Sequence, residues 1–485
     1  MTRPGWIVAV LAPAAAVAAA AWPPAARPGV EGTPVEPPVS ASARVVVGQA
    51  VGAGGCSSVG CHGAPGTDAL RNGPGPGSWT SSAIVWAAAD PHRKAYAVLE
   101  EKLARDMMAR LHPDKKPEDR LATNDARCLA CHTNPTLATD SPANHLRAEG
   151  VSCEACHGNA SSWLRSHMDI SVQNYAAGYD PARLAKLYDD ARMTRLYDLG
   201  ERALACVGCH VGAPADPARG LPVRDMNHDM IAAGHPRLNF DFATYQFMLP
   251  RHWHERDRTK PGTATDPDFE ARAWLVGRVA HAEAACQLTA DRAQRGDPWP
   301  EFGESSCVSC HHAVTDPARK YPEPVGRRPG SLPWQPVWPV TRPDDLAAFA
   351  PFDRLADTKR AVSALLGAMQ RSRPAVNAGD AATTAARELD GLRRHTAGLS
   401  GSDALATAGR VLGRAKAIPA GEWDRDLTEQ VYHARAAVER AKMARGAPGD
   451  PAGFAAAARK LTLPRGTVRF DLPEGAADAV RGLLK

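Results

Sequence analysis

Hydrophobic and polar positions change character several times along this chain. An apolar run from Trp6 to Trp22, rich in Ala and Val, follows Arg3. It gives way to a Pro- and Ala-rich stretch with Pro23, Pro24, Pro28, Pro34, Pro37 and Pro38. At the other end, from Asp344 onward, Ala, Leu, Arg and Glu dominate in a helical pattern. It predicts helices over 353–369, 381–399, 402–416 and 424–445. Asp380 and Ser402 are the expected N-caps there, and Gly401 and Gly446 the expected stops. Between the two ends regular strands are hard to find. Helices are predicted over 92–111, 181–205 and 268–295, the last with an uneven apolar stripe of Trp274, Val279, Ala282, Cys286 and Leu288. A second run of prolines, Pro322 to Pro343, reads as a linker or a strap over the surface. The expectation is a mainly α protein with extensive loops. It divides into an export signal or N-terminal anchor (1–22), a linker (23–44), a loop-rich domain (45–318), a Pro-rich linker (319–343) and a helical C-terminal domain (344–485).

The chemistry lies in the loop-rich part. Four copies of Cys-x-x-Cys-His occur there: Cys128, Cys131 and His132; Cys153, Cys156 and His157; Cys206, Cys209 and His210; Cys307, Cys310 and His311. Two thiols three residues apart on a helical turn can form thioethers to both vinyl groups of one porphyrin, and the adjacent histidine then falls under the ring as an iron ligand. With 11 Cys and 17 His in 485 residues, chance supplies about 0.01 such motifs. Disulfides and structural zinc are the bland readings of so many cysteines. The repeated His after each pair argues against both, since neither needs it. A fifth element, Cys56-Ser57-Ser58-Val59-Gly60-Cys61-His62, has a longer insert that must bulge, yet it keeps His directly after the second Cys. It reads as a fifth haem c site, with a disulfide or free thiols as the alternative. Cys286 stands alone and reads as a buried helix thiol.

A low-spin electron-transfer haem takes a second strong ligand. The spare histidines picked out by local context are His92, which follows Asp90-Pro91; His167, which closes the segment after Cys153; and His228 and His235, two helical turns apart. His145 and His112 follow them. Met107, Met108 and Met230 are thioether candidates, with core packing as the plainer use.

The formal charge of +5 hints weakly at an acidic partner. Each ferric haem c brings roughly one net negative charge through its propionates, so about five haems cancel it. No basic stripe with interleaved aromatics points to nucleic acid. The N-terminal run places the body of the protein outside the cytoplasm, either free after cleavage or held by an uncleaved anchor.

Several linking phrases resemble the cytochrome c-554 (c-554/c-prime) family of multihaem cytochromes. They surround Gly54-Gly55-Cys56 and His62-Gly63, Asp90-Pro91-His92, Ala126-Arg127-Cys128, Glu149-Gly150-Val151-Ser152-Cys153, the stretch from Asn227 to Asn239, and Trp299-Pro300-Glu301-Phe302. The resemblance implies a helical, loop-built domain around closely stacked haems and periplasmic electron transfer between redox partner proteins. It also implies that one iron can be open. This sequence departs from the tetrahaem pattern in its Cys56 element and its cysteine-free tail. Two other readings stand beside the carrier. One is an enzyme that uses an open iron on nitrite, hydroxylamine or nitric oxide; the absence of Cys-x-x-Cys-Lys weighs against the pentahaem nitrite reductases. The other is an anchored relay that oxidises quinol or serves a membrane complex.

Overall fold

The computed structural model describes residues 48–65, 78–139, 142–168, 185–186, 188–190, 192–253, 266–297, 299–305, 307, 311, 334–370, 375–419, 423–462 and 472–484. The chain splits into two compact units, Met1–Val45 and Val46–Lys485. The first, with the expected export segment, lies outside the described residues. The second is mainly α, and among the described residues the only β pairing is isolated bridges such as Ala213 with Arg224.

The helices in chain order are α1 Ser82–Ala89, α2 Lys102–Leu111, α3 Ala126–His132, α4 Cys153–His157, α5 Leu199–His210, α6 His228–Ala233, α7 Phe242–Met248, α8 Phe269–Arg295, α9 Leu355–Gln370, α10 Ala375–Ala397, α11 Gly401–Ala415, α12 Arg425–Ala444, α13 Pro451–Leu461 and α14 Ala476–Gly482. None of them is long and apolar enough to cross a membrane.

The axle is α8. The expected stripe becomes burial on nearly every side: 20 of its 27 residues are buried. Small residues (Ala271, Ala273, Gly277, Ala280, Ala284) let neighbouring helices approach, and Gly296 at φ 73° ends it in the left-handed conformation. α5, α7, α10, α11 and α12 all pack on α8. One apolar cluster therefore runs from Leu199 through Trp274 and Leu389 to Leu484, joining the motif-bearing half to the tail. Buried charge pairs cross the same junction, including Arg393 Nε on α10 with Glu283 Oε2 on α8 at 2.8 Å. The described part of the second Pro-rich stretch is interior rather than a strap. Trp334, Val337, Trp338 and Val340 are buried, and Trp338 donates to Gln430 Oε1 and Asp345 Oδ2.

Some expected boundaries shift for local reasons. The 92–111 helix breaks into 3-10 turns at Pro91–Lys94 and Ala97–Glu100 before α2. The 181–205 helix starts at Asp198, whose carboxylate accepts from Gly200 N and Glu201 N, and it continues into the third motif as α5. In the tail, Ser400 rather than Ser402 caps α11, so Gly401 opens that helix instead of stopping one. Asp380 lies inside α10. Gly446, at φ 84°, follows α12 as expected.

Candidate haem-binding cavity

Three of the motifs are built as the last turn of a helix. Asp125 caps α3 by accepting from Arg127 N at 2.9 Å, and α3 ends on His132. α4 is little more than its own motif, and α5 ends on His210. Each histidine thus leaves a helix C-terminus while the two thiols sit on the turn behind it. The Cys56 element bulges as its extra residues require. His62 N still donates to Cys56 O at 3.3 Å, and Gly63 N and Cys61 N both fold onto Ser58 O. A side chain at Gly63 would meet Ser57 O at 1.9 Å, so this tight loop needs glycine there. Of the Cys307 element, Cys307 and His311 are described, and Cys310 lies outside the described residues.

Glu154, inside the α4 motif, ties two motifs together. It is 2% exposed. Its carboxylate accepts from Val51 N (3.0 and 3.1 Å), Gly52 N (2.8 Å) and Ala160 N (2.6 Å). Glu149 Oε2 accepts from Ala53 N at 2.9 Å. The chain entering Cys56 is thereby fixed against the α4 motif.

These elements surround one cavity of about 2230 Å³. A single ligand pocket occupies roughly 300–1,000 Å³, so this space suits several large flat groups. Its wall holds Cys56, Cys61, Cys128, Cys131, Cys153, Cys156, Cys206 and Cys209, together with His62, His132, His157 and His210. The tail contributes as well, through Ala397 and His433. Cys307 lies apart from this wall, where its Sγ accepts from Arg237 Nη1 at 3.4 Å; Arg237 is itself paired with Asp426 of α12 at 2.5 Å.

Four motif histidines each face a second imidazole. Ring centroids are 6.3 Å apart for His62 and His167, 6.1 Å for His92 and His210, 6.4 Å for His132 and His235, and 6.2 Å for His228 and His311. Metal–imidazole nitrogen bonds of about 2.0–2.1 Å, with each ring centre about 1.1 Å beyond its nitrogen, put the centroids of two axial ligands roughly 6.3 Å apart. The gaps fit an iron held between the rings. Two pairs are near parallel, at 19° and 25°, and two near perpendicular, at 75° and 80°.

Second partners orient the rings. Nδ1 of His132 meets Ala95 O at 2.7 Å, Nδ1 of His167 meets Leu164 O at 2.7 Å, and Nδ1 of His235 meets Pro236 O at 2.8 Å. His62 Nδ1 meets Ser82 Oγ at 3.1 Å, and His92 Nδ1 meets Asp90 Oδ1 at 2.9 Å. With Nδ1 committed, Nε2 is the ring nitrogen that would bind a metal. Burial pushes His157 down to about 3 and His210 down to about 4, which keeps both imidazoles neutral, the form that binds metal.

The remaining candidates fall elsewhere. His145 is exposed on the 3-10 turn Asn144–Glu149 and faces no motif histidine. His112 is bound to Asp125 and Arg127. Met107 and Met230 pack together, and Met108 packs with Leu99 and Leu129. Cys286 is buried in α8, as a helix thiol would be. Among the described residues His157 meets no opposing ring at the spacing of the other four. His252 lines the same cavity, and beside burial it is the strongest influence holding the His157 imidazole in its neutral form. Its available signal was a proline within two residues, which also accompanies His92 and His235.

Residues 80–158 match the family model described as cytochrome c554 and c-prime. No curated protein and no solved structure matches the chain. The matched stretch holds the α3 and α4 motifs and His92, whose thiols and imidazoles line a cavity of the right size and polarity for haem c. Over that stretch the chain is similar to the cytochrome c554 and c-prime family, which supports a mainly helical c-type cytochrome with haem c iron in electron transfer.

Proposed function

We propose that this protein is an exported, periplasmic multihaem cytochrome that passes electrons between redox partner proteins through five haems. The observation that carries the reading is the set of four opposed imidazole pairs at metal-spanning distance. Bound haem iron supplies a reversible one-electron couple at each site. The chain's own residues do the rest. Cys56 and Cys61, Cys128 and Cys131, Cys153 and Cys156, Cys206 and Cys209, and Cys307 and Cys310 would anchor the porphyrins. His62, His132, His157, His210 and His311 would be the near-side ligands, with His167, His235, His92 and His228 opposite all but His157. Paired with these imidazoles on both sides, each bound iron would stay low-spin and rearrange little on electron transfer. The largely apolar wall of the cavity would limit water around the bound haems. Export agrees with covalent haem attachment.

A second reading rests on His157, which among the described residues has no opposing ring at the common spacing. Its iron would take either His252 or a small nitrogen compound, and the latter would make this an enzyme. Intact mass of the purified protein tests the count: five haem increments are expected, and four or fewer would remove the Cys56/Cys61 site from the account. A low-spin spectrum at the His157 site that turns high-spin in His252→Ala would favour the carrier. A high-spin iron already present in the unaltered protein would favour the enzyme.

A further inference from the structure

The five histidines whose Nδ1 contacts are given above do not all have the same kind of partner. His132, His167 and His235 face neutral backbone carbonyls, while His92 faces a carboxylate. Asp90 Oδ1 lies 2.9 Å from His92 Nδ1 and also accepts from His92 N at 2.9 Å. Its side chain is 7% exposed. Asp90 has little freedom: its own N donates to Trp86 O at the end of α1, its side chain caps the Pro91–Lys94 turn, and Pro91 fixes the backbone between the two partners. The neighbouring guanidinium of Arg93 is turned away, over the Trp86 ring and onto Ala148 O. The other imidazole of the pair, His210, meets Phe240 stacked at 5.0 Å and Tyr245 edge-on at 5.0 Å.

We propose that Asp90 sets the potential of the iron between His92 and His210, lowering it relative to the same site with a neutral partner. The inference rests on the ligand pairing proposed above. A buried carboxylate drawing on the Nδ1 proton gives the imidazole imidazolate character, so Nε2 donates more strongly. Stronger donation, and the negative charge itself, stabilise the ferric over the ferrous state. Cys209, of this site, lies against Cys131, of the His132–His235 site. Asp90 therefore tilts the step between these neighbouring sites, favouring electron flow from the His92–His210 iron toward the His132–His235 iron. Asp90 is a positioning residue: it touches the ligand and not the iron.

The test is a spectropotentiometric titration of the full-length holoprotein carrying Asp90→Asn or Asp90→Glu, with haem content checked by intact mass. In Asp90→Asn one midpoint potential should rise, the others should hold, and that haem should stay low-spin. Asp90→Glu, which restores a carboxylate, should bring the midpoint back toward the original. Potentials unchanged in Asp90→Asn, an equal shift in both variants, or conversion of the haem to high spin would each overturn the proposal; the last would make Asp90 a structural support only. His92→Ala separates the two levels of argument. If it leaves every haem low-spin, the ligand pairing fails. If it turns one haem high-spin while Asp90→Asn moves no potential, only the role of Asp90 fails.

Discussion

Replacing Glu154 with alanine should weaken the protein at the seam between two haem motifs. The carboxylate is buried and serves three backbone N–H groups: those of Val51, Gly52 and Ala160. Hydrogen bonds to a charged acceptor contribute about 1.5–3 kcal/mol each, and a buried N–H left without a partner costs about 1–3 kcal/mol. The three amides share one acceptor group, so their contributions are not additive. A loss of about 3–5 kcal/mol is expected, as for other buried charge networks broken from one side. Glu154→Gln keeps an accepting oxygen but turns an NH₂ toward an N–H, and should lose about 1–3 kcal/mol. The assay is urea unfolding of the holoprotein, combined with hydrogen exchange at the amides of residues 51, 52 and 160. Those amides should exchange faster in Glu154→Ala, and the spectrum of the His62–His167 site should change, because the chain entering Cys56 is what the carboxylate holds. A midpoint shift worth less than about 1 kcal/mol, with exchange unchanged, would refute the clamp.

Three further outcomes follow from other parts of the structure. Glu283→Ala removes the buried acceptor of Arg393 Nε between α8 and α10, while Asp390 and Glu201 still face its other nitrogens, and should cost about 1–3 kcal/mol in urea unfolding; no measurable loss would contradict that burial. Burial holds the His281 imidazole well below its ordinary 6.5, so the folded state stays neutral where the unfolded chain takes up a proton. Stability should therefore fall as pH drops below about 6.5, with a limiting slope of about 1.4 kcal/mol per pH unit from this group; comparing urea midpoints at pH 7 and pH 5, His281→Leu should lose less than the unaltered protein. His145→Ala should leave every haem spectrum unchanged while His235→Ala turns one haem high-spin, and the reverse result would exchange their roles.

Much of the site could be read locally. A Cys-x-x-Cys-His run is a self-contained device, with thiols and ligand on one turn, so its chemistry needs no distant partner. The helical tail was equally legible, because its apolar periodicity is strong. Burial of α8 on almost all sides was not, since Ala- and Gly-rich faces read as weak amphipathicity until neighbouring helices close on them. Cap positions misled by one or two residues: Ser400, Gly401 and Ser402 are all turn-forming, and only the fold selects Ser400. Which histidine faces which was hidden for a different reason. His62 meets His167, and His92 meets His210, across long sequence separations through chain in which, among the described residues, short 3-10 turns and loops interrupt the helices and no period reports direction. His252 offered only a nearby proline, Pro250, too weak a signal to separate it from the other spare histidines.

The electron paramagnetic resonance spectrum of the fully oxidised, full-length protein tests the central claim most directly. Near-parallel imidazole planes at His62–His167 and His228–His311 should give two rhombic low-spin signals. Near-perpendicular planes at His92–His210 and His132–His235 should give two strongly anisotropic low-spin signals of large g-max. With four irons closed by two imidazoles each, any high-spin signal should account for no more than one iron, that of His157. High-spin iron in two or more sites would contradict the account.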